Sequence, residues 1–430
     1  MPSIERFMIK TSFLSLLLCI ALLSTPVSGS SLDSAPTNLE TSASFTDKYD
    51  EDFKTDSFEA ISSKRQSKKS TPTLTKDQFE EFKSSAETGD SDAQFALGAI
   101  YVNGIGRAKD AFEGAKWYKK SAALGNAKAQ SALGVMYVHG RGTVQDKAAA
   151  VKWLHLSAVQ GYAKGQYNLG LLYRREIGVL KSNVEAAKWY REAADQGLAD
   201  AQFALGVMYR LGHGVDKDKY AAVQWYRKAA NQGHMRAQSS LALVYSHGDG
   251  TEMNLDKAKK WFKEAAYQGH ASSQFNLGVL YSRKINGNVD YPEALEWFQR
   301  AAALGVIEAQ YNVGVMHRYA MGTPQDYSEA ARWFTKAAEQ GFAKSQTNLG
   351  VLYTRGNGVT KDPAEALKWF TKAAYQGLDI AQFNLATMYD FGNGVSENNI
   401  KAIKWYRKAA EQGHKKAQSK LKTNIAMLSQ

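Results

Sequence analysis

Residues 127–162 read AKAQSALGVMYVHGRGTVQDKAAAVKWLHLSAVQGY, and the chain repeats this layout at one fixed period. Trp153 has counterparts at 117, 189, 225, 261, 297, 333, 369 and 405, each 36 residues from the next. Gln130 recurs at 94, 166, 202, 238, 274, 310, 346, 382 and 418. Length alone, at 430 residues, would suggest roughly three domains. A uniform period of this size instead signals stacked supersecondary units.

Within the quoted unit, Gln130, Leu133, Gly134 and Tyr137 fall at i, i+3, i+4 and i+7 and share one face of a helix. Gly134 weakens helix propensity, so its recurrence points to close approach by a partner helix. Gly140 and Gly142 are expected to end this first helix. A second helix follows a capping side chain: Asp110, Asp146, Ser182, Asp218, Asn254, Asp290, Asp326, Asp362 or Asn398. Each can accept a bond from an otherwise unpaired backbone N–H. Glu185, Glu329 and Glu365 complete capping boxes, and Pro363 sits where its missing N–H is not needed. Ala150, Trp153 and Ser157 mark the inward stripe, and Gly161 closes the unit. One helix pair cannot cover its own apolar face, so neighbours must stack, with the tryptophans expected as a ladder inside.

The ends differ as caps should. Thr75 to Glu87 keeps the second-helix pattern with Glu81 in the Trp place, and Thr75 and Gln78 have capping-box spacing. Lys415, Lys416, Lys420 and Lys422 make the last helix polar. The expected fold is all-α: a right-handed α-solenoid of about nine 36-residue helix-turn-helix repeats over 91–414, with capping helices at 75–90 and 415–430.

The unit A-x-x-L-G-x-x-Y-x-x-G-x-G, followed by A-x-x-W-[YFL]-x-x-[AS]-A-x-x-G, resembles the Sel-one-like repeat family of tetratricopeptide-like α-solenoids. The resemblance covers about residues 76–422. It implies a scaffold or adaptor for protein–protein interaction and, for exported bacterial members, a place in envelope assembly or host interaction. Gly165 replaces the first Ala of its unit, His317 the Tyr, and Ala242 and Ala386 the Gly. These changes are small or shape-compatible. The chain resembles the members without disulfide staples.

The start reads as an address. Arg6 and Lys10 precede the apolar run Phe13 to Leu23, and Val27 and Gly29 are spaced for cleavage after Gly29. This is the layout of a secretory signal peptide over 1–29. The run is shorter than the roughly 20 residues a membrane span needs; an uncleaved anchor is the alternative. Cys19 is the only cysteine, so a cleaved chain has no disulfide and no thiol nucleophile. Leu18 before it does not suit lipid attachment. Residues 30–74 are rich in Ser, Thr, Asp and Lys and are expected to form a disordered linker. The expected location is outside the cytoplasm, in the periplasm, at the cell surface or secreted.

Chemistry finds little support. No pair among the eight histidines has the i, i+4 spacing of a zinc helix. His234, His270 and His414 share one place, directly after a closing Gly. Gly140-Arg141-Gly142 and Gly212-His213-Gly214 follow helices rather than strands, so the context of a phosphate loop is missing. There is no G-x-S-x-G elbow. Neither a catalytic residue nor a cofactor or metal site is expected; a hydrolase is the rival reading from another class.

Function in a solenoid usually lies on its extended concave surface. By resemblance to tetratricopeptide proteins, the first-helix face carrying Ser131, Val135, Val138 and His139 would line it. On that face stand Phe95, Tyr167, Phe203, Phe275, Tyr311 and Phe383, and at the helix ends Arg174, Arg175, Arg210, Arg283, Arg318 and Arg355. Arginine grips carboxylates in bidentate fashion and aromatics give rigid apolar contact. The expectation is a groove for an acidic, extended protein segment. The alternative is that the rings pack against the adjoining unit and the arginines stabilise helix C-termini. The net charge of +12 also admits polyanions. Export argues against nucleic acid, and the helices are amphipathic around a core rather than lipid-facing. An adaptor regulating a periplasmic cell-wall enzyme shares the fold and differs only in its partner.

Overall fold

Capping chemistry starts every second helix. The nine predicted caps each accept from the backbone N–H three residues on, at 2.8–3.2 Å. The computed structural model describes residues 53–54, 76–283 and 289–428, all within the unit Asn38–Gln430. The signal segment, Thr75 and all of the linker except Phe53 and Lys54 lie outside the described residues.

Among the described residues there are twenty helices and no strand. Helix α1 is Lys76–Glu87. The pairs that follow are α2 (Ser91–Asn103) and α3 (Ala111–Ala123), α4 (Ala127–His139) and α5 (Lys147–Val159), α6 (Ala163–Arg175) and α7 (Asn183–Asp195). Next come α8 (Ala199–Leu211) and α9 (Lys219–Asn231), α10 (Met235–His247) and α11 (Leu255–Tyr267), α12 (Ala271–Ser282) and α13 (Tyr291–Ala303). The series closes with α14 (Ile307–Tyr319) and α15 (Tyr327–Glu339), α16 (Ala343–Arg355) and α17 (Pro363–Tyr375), α18 (Asp379–Asp390) and α19 (Asn399–Glu411), and finally α20 (Lys415–Leu428). Each helix packs on the next in chain order, and α4 also touches α6 directly. The chain is therefore an all-α solenoid of stacked helix pairs.

The recurring glycine of the first helix sets the crossing inside a pair. A Cβ added at Gly206 would lie 2.7 Å from the Tyr226 ring, and one at Gly278 or Gly314 would lie 2.7 Å from Phe298 or Phe334. Removing the side chain admits the ring of the residue after Trp in most of these units, and Leu154 at Gly134. Tyr190, Tyr226, Phe298 and Phe334 are accordingly buried completely, and Phe262 and Tyr406, in the units that carry Ala242 and Ala386 at the glycine place, are buried equally. The tryptophans themselves form a boundary row rather than the interior ladder expected. Trp117, Trp225, Trp297, Trp369 and Trp405 are buried, whereas Trp153, Trp189, Trp261 and Trp333 are half-buried. Cations three residues on cover several outer faces, such as Lys228 over Trp225 at 3.9 Å and Lys336 over Trp333 at 4.0 Å.

A second departure concerns the loop glycines. Gly140 ends α4 in the left-handed conformation, but Gly142 serves the stacking. A Cβ there would fall 2.0 Å from the Ala111 carbonyl oxygen, at the second-helix start of the preceding unit.

The invariant glutamine joins the units. Gln202 Nε2 donates to the Ala194 carbonyl of the preceding unit at 3.1 Å, and its Oε1 accepts from Gln232 Nε2 at 2.8 Å. The first bond forms at all ten glutamines. The second forms in seven units. In two others Leu124 and Leu304 occupy the partner position. There the buried Oε1 of Gln94 and of Gln274 has no hydrogen-bond partner among the described residues. Leu304 is 55% exposed, so Leu304→Gln should complete the bond without disturbing the core. The urea midpoint should rise by the equivalent of about 1 kcal/mol; an unchanged midpoint would remove this pairing from the account of stability.

Candidate functional site

The aromatic row expected to line a groove is interior. Phe95, Tyr167, Phe203, Phe275 and Tyr311 are at most 5% exposed, and Phe383 is half-buried. Each meets the ring of the residue after the Trp of its own unit, with centroids 5.5–5.9 Å apart in the six pairs. The first helix has its own second helix on one side and the preceding second helix on another. On the side opposite the Leu-Gly-Tyr stripe Ser131 and Val138 are buried, Val135 is half-buried and His139 is exposed.

The arginines differ in their surroundings. Arg318 is buried, bonds Asn348 Oδ1 and lies 4.9 Å from the Tyr319 ring. Arg210 pairs with Asp249 at 3.4 Å, a carboxylate that Lys219 also holds at 2.5 Å. Arg174 is half-buried, and Arg175, Arg283 and Arg355 are exposed.

The residues that do converge on a ligand-like group come from a different row. One residue beyond the aromatic position stand Asn168, Asn276, Asn312, Asn348 and Asn384, the first four buried. A polar side chain at a fixed place inside an apolar run was the available signal. Asn168, on α6, accepts from the Lys54 backbone N–H at 2.8 Å through Oδ1 and donates to the Lys54 carbonyl at 2.7 Å through Nδ2. Nδ2 also lies 3.2 Å from Ser131 Oγ on α4. A carboxamide offers an acceptor oxygen and an NH2 with two donors, and here both main-chain groups of a single residue are satisfied. Such pairing reads main chain and is indifferent to side chain.

Side-chain preference comes from the flanks. Phe53 packs against the clusters containing Val138 and Tyr167 and meets the His139 ring edge-on at 5.4 Å. Lys54 Nζ lies 2.9 Å from Asp200 Oδ1 on α8. The expectation of a wholly solvated linker therefore fails at Phe53 and Lys54, which dock across α4, α6 and α8.

His234 supports Asp200 from below. Its Nδ1 accepts from the Ala237 backbone N–H at 3.1 Å, which places the proton on Nε2, 3.4 Å from Asp200 Oδ1. His270 and His414 cap their helices in the same way, at 3.2 and 3.1 Å. Burial and the charge of Arg236 push the His270 imidazole down from its ordinary value. These three histidines are structural caps. Among the described residues, no group of three or more His, Cys, Asp or Glu is placed to hold a metal ion.

Burial opposes the charge of Asp200, but hydrogen bonds from His234 and Lys54 and the positive charge of Lys54 outweigh it, and the carboxyl falls to about 2. The stability linked to Asp200 is thus fully present above its ordinary value of 3.8 and is lost as pH falls toward about 2. Lys54→Ala should move the Asp200 midpoint upward in a carbon-detected NMR titration. A midpoint that stays near 2 would mean that the lysine does not hold the carboxylate.

The Sel1 repeat model matches residues 91–126, 127–162, 163–198, 199–234, 236–270, 271–306, 307–342, 343–378 and 379–414. The chain belongs to the Sel1 repeat family. It is similar to the crystal structure of a Sel1 repeat protein from Oxalobacter formigenes, at 33% identity and TM-score 0.55, over 75% of this chain and 98% of that one. It also matches a protective antigen of uropathogenic Escherichia coli with an SLR fold, at 31% identity and TM-score 0.48, over 86% of each chain. Among curated proteins, none matches the sequence. Sel1 repeat proteins are generally protein–protein interaction scaffolds, and the solenoid is typically non-catalytic. Among the described residues, no helix is long and apolar enough to cross a membrane.

Proposed function

We propose that this Sel1 repeat chain is an exported scaffold or adaptor that holds a partner protein by an extended segment laid across successive first helices. The observation that carries the reading is the two-bond grip of Asn168 on the Lys54 main chain. It uses a side chain whose polar atoms face the docked segment rather than its own helix. Export is supported by the N-terminal basic, apolar and small-residue sequence. It directs attention to the envelope, the cell surface or the medium, and to partners in envelope assembly, host contact or cell-wall enzyme control. The acidic partner expected from the arginines has less support, because the side chain held at this face is a lysine on an aspartate.

Photo-crosslinking in the native organism tests the reading. A photoreactive residue in place of Val135, beside the Phe53 pocket, should capture the partner, whereas one in place of exposed Lys152 on α5 should not. Capture from Lys152 alone would overturn the assignment of the face. Recovery of the chain only from the cytoplasmic fraction would overturn export.

A further inference from the structure

We infer that Phe53–Lys54 is a resident competitor. The cleft across α4, α6 and α8 takes a partner's extended segment with an aromatic residue followed by lysine, and that segment enters by displacing the chain's own pair. This deepens the reading of the Asn168 grip as a binding site and rests on it.

The cleft exists where the array elsewhere closes on itself. Asn348 holds the same place in its unit as Asn168. There Arg318, thirty residues earlier, donates to the carboxamide oxygen, and Nδ2 donates to the Lys344 carbonyl at 2.9 Å. Both polar groups of Asn348 are thus used inside the repeats. The residue thirty before Asn168 is Val138, which has no side-chain donor. Val138 is buried and belongs to the cluster on which Phe53 packs. Valine in place of arginine therefore does two things. It leaves the Asn168 oxygen to a main-chain N–H from outside the repeats, and it gives a ring an apolar wall. The lysine preference has its own source. Thirty-two residues beyond Asn168 stands Asp200, whereas Ile380 stands at that distance from Asn348.

The hold on Phe53–Lys54 is of a kind that exchanges. Two main-chain hydrogen bonds, one edge-on ring contact and one ion pair make it, and a segment from another chain can remake all four. Phe53 and Lys54 are only half-buried. The Lys54 and Asp200 side chains keep 32% and 27% of their exposure, so water reaches the ion pair and weakens it. What favours the resident is its tether, which supplies it at an effective concentration on the order of millimolar. A free segment binds only the fraction of chains whose cleft is open, and its apparent affinity falls by that fraction.

The probe is a synthetic peptide of residues 50–57, Asp-Glu-Asp-Phe-Lys-Thr-Asp-Ser, titrated calorimetrically into the full chain. Phe53→Ala/Lys54→Ala, which vacates the cleft, should bind one equivalent. The wild type should bind it more weakly by roughly tenfold or more. In the vacated background Val138→Arg should abolish binding, because the arginine would tie off Asn168 as Arg318 ties off Asn348. Asp200→Asn, a conservative change at a half-buried residue, should weaken it without touching the core. A peptide with Ala in place of both Phe and Lys should not bind. Equal affinity for the wild type and the vacated chain would overturn the competition and leave the Asn168 grip standing. Equal affinity of the Ala-substituted peptide would overturn the aromatic–lysine preference alone. No binding by the vacated chain, or binding indifferent to both Val138→Arg and Asp200→Asn, would overturn the reading of the cleft as a binding site as well.

Discussion

Gly206→Leu should disrupt the middle of the array. At this crossing even a single added carbon would sit 2.7 Å from the Tyr226 ring and 3.3 Å from the Ala222 carbonyl oxygen, and leucine adds three more. The expected loss is about 3 kcal/mol, the upper end for overpacking a close-packed interior. Gly206→Ala should be nearly neutral. Ala242 and Ala386 already occupy the equivalent place, and the gain in helix propensity of about 1 kcal/mol offsets the crowding. Placing Gly206→Leu in a Tyr226→Ala background should recover part of the loss, because the two side chains would then exchange the same space. A solenoid's stability is a sum of unit and interface contributions, so the single urea transition should split into two. A Gly206→Leu chain as stable as the wild type would refute packing through this glycine.

Phe275→Ala should cost about 3–5 kcal/mol, the range for emptying a buried aromatic site. Arg175→Ala should change stability by no more than about 0.5 kcal/mol. Both residues stand in the set expected to line one groove, so the pair separates an interior role from a surface one. The ring of Phe275 is buried and lies 5.7 Å from that of Phe298. Urea unfolding followed by far-ultraviolet circular dichroism is sufficient. Equal, small effects for the two variants would return Phe275 to the surface.

These outcomes mark what could be read from the chain before its fold. Period, pair count, helix order and all nine second-helix caps were legible, because each depends on local chemistry repeated at a fixed interval. The role of Gly134 and its counterparts as points of close helix approach was legible; the side chain that fills the gap, Leu154 at Gly134 and a ring at Gly206, was not. The aromatic row was misplaced because a helical projection assigns half of every helix to water, whereas here only a narrow strip near the helix end, with His139 and Arg175, is exposed. The run Phe95-Ala96-Leu97-Gly98-Ala99-Ile100, apolar all round, carried that information. Asn168 was missed for a different reason. Its partners lie 114 residues earlier, in a stretch whose composition gives no sign of docking.

The glutamine bonds have a consequence for how such a chain can lengthen. One links Gln202 to Gln232 within a unit, and the other links Gln202 to the unit before it. Excising or duplicating a whole 36-residue unit therefore leaves a seam with the same donors facing the same acceptors. A change of any other length would put a loop where a glutamine must stand. Array length is thus free to drift in whole units during gene duplication.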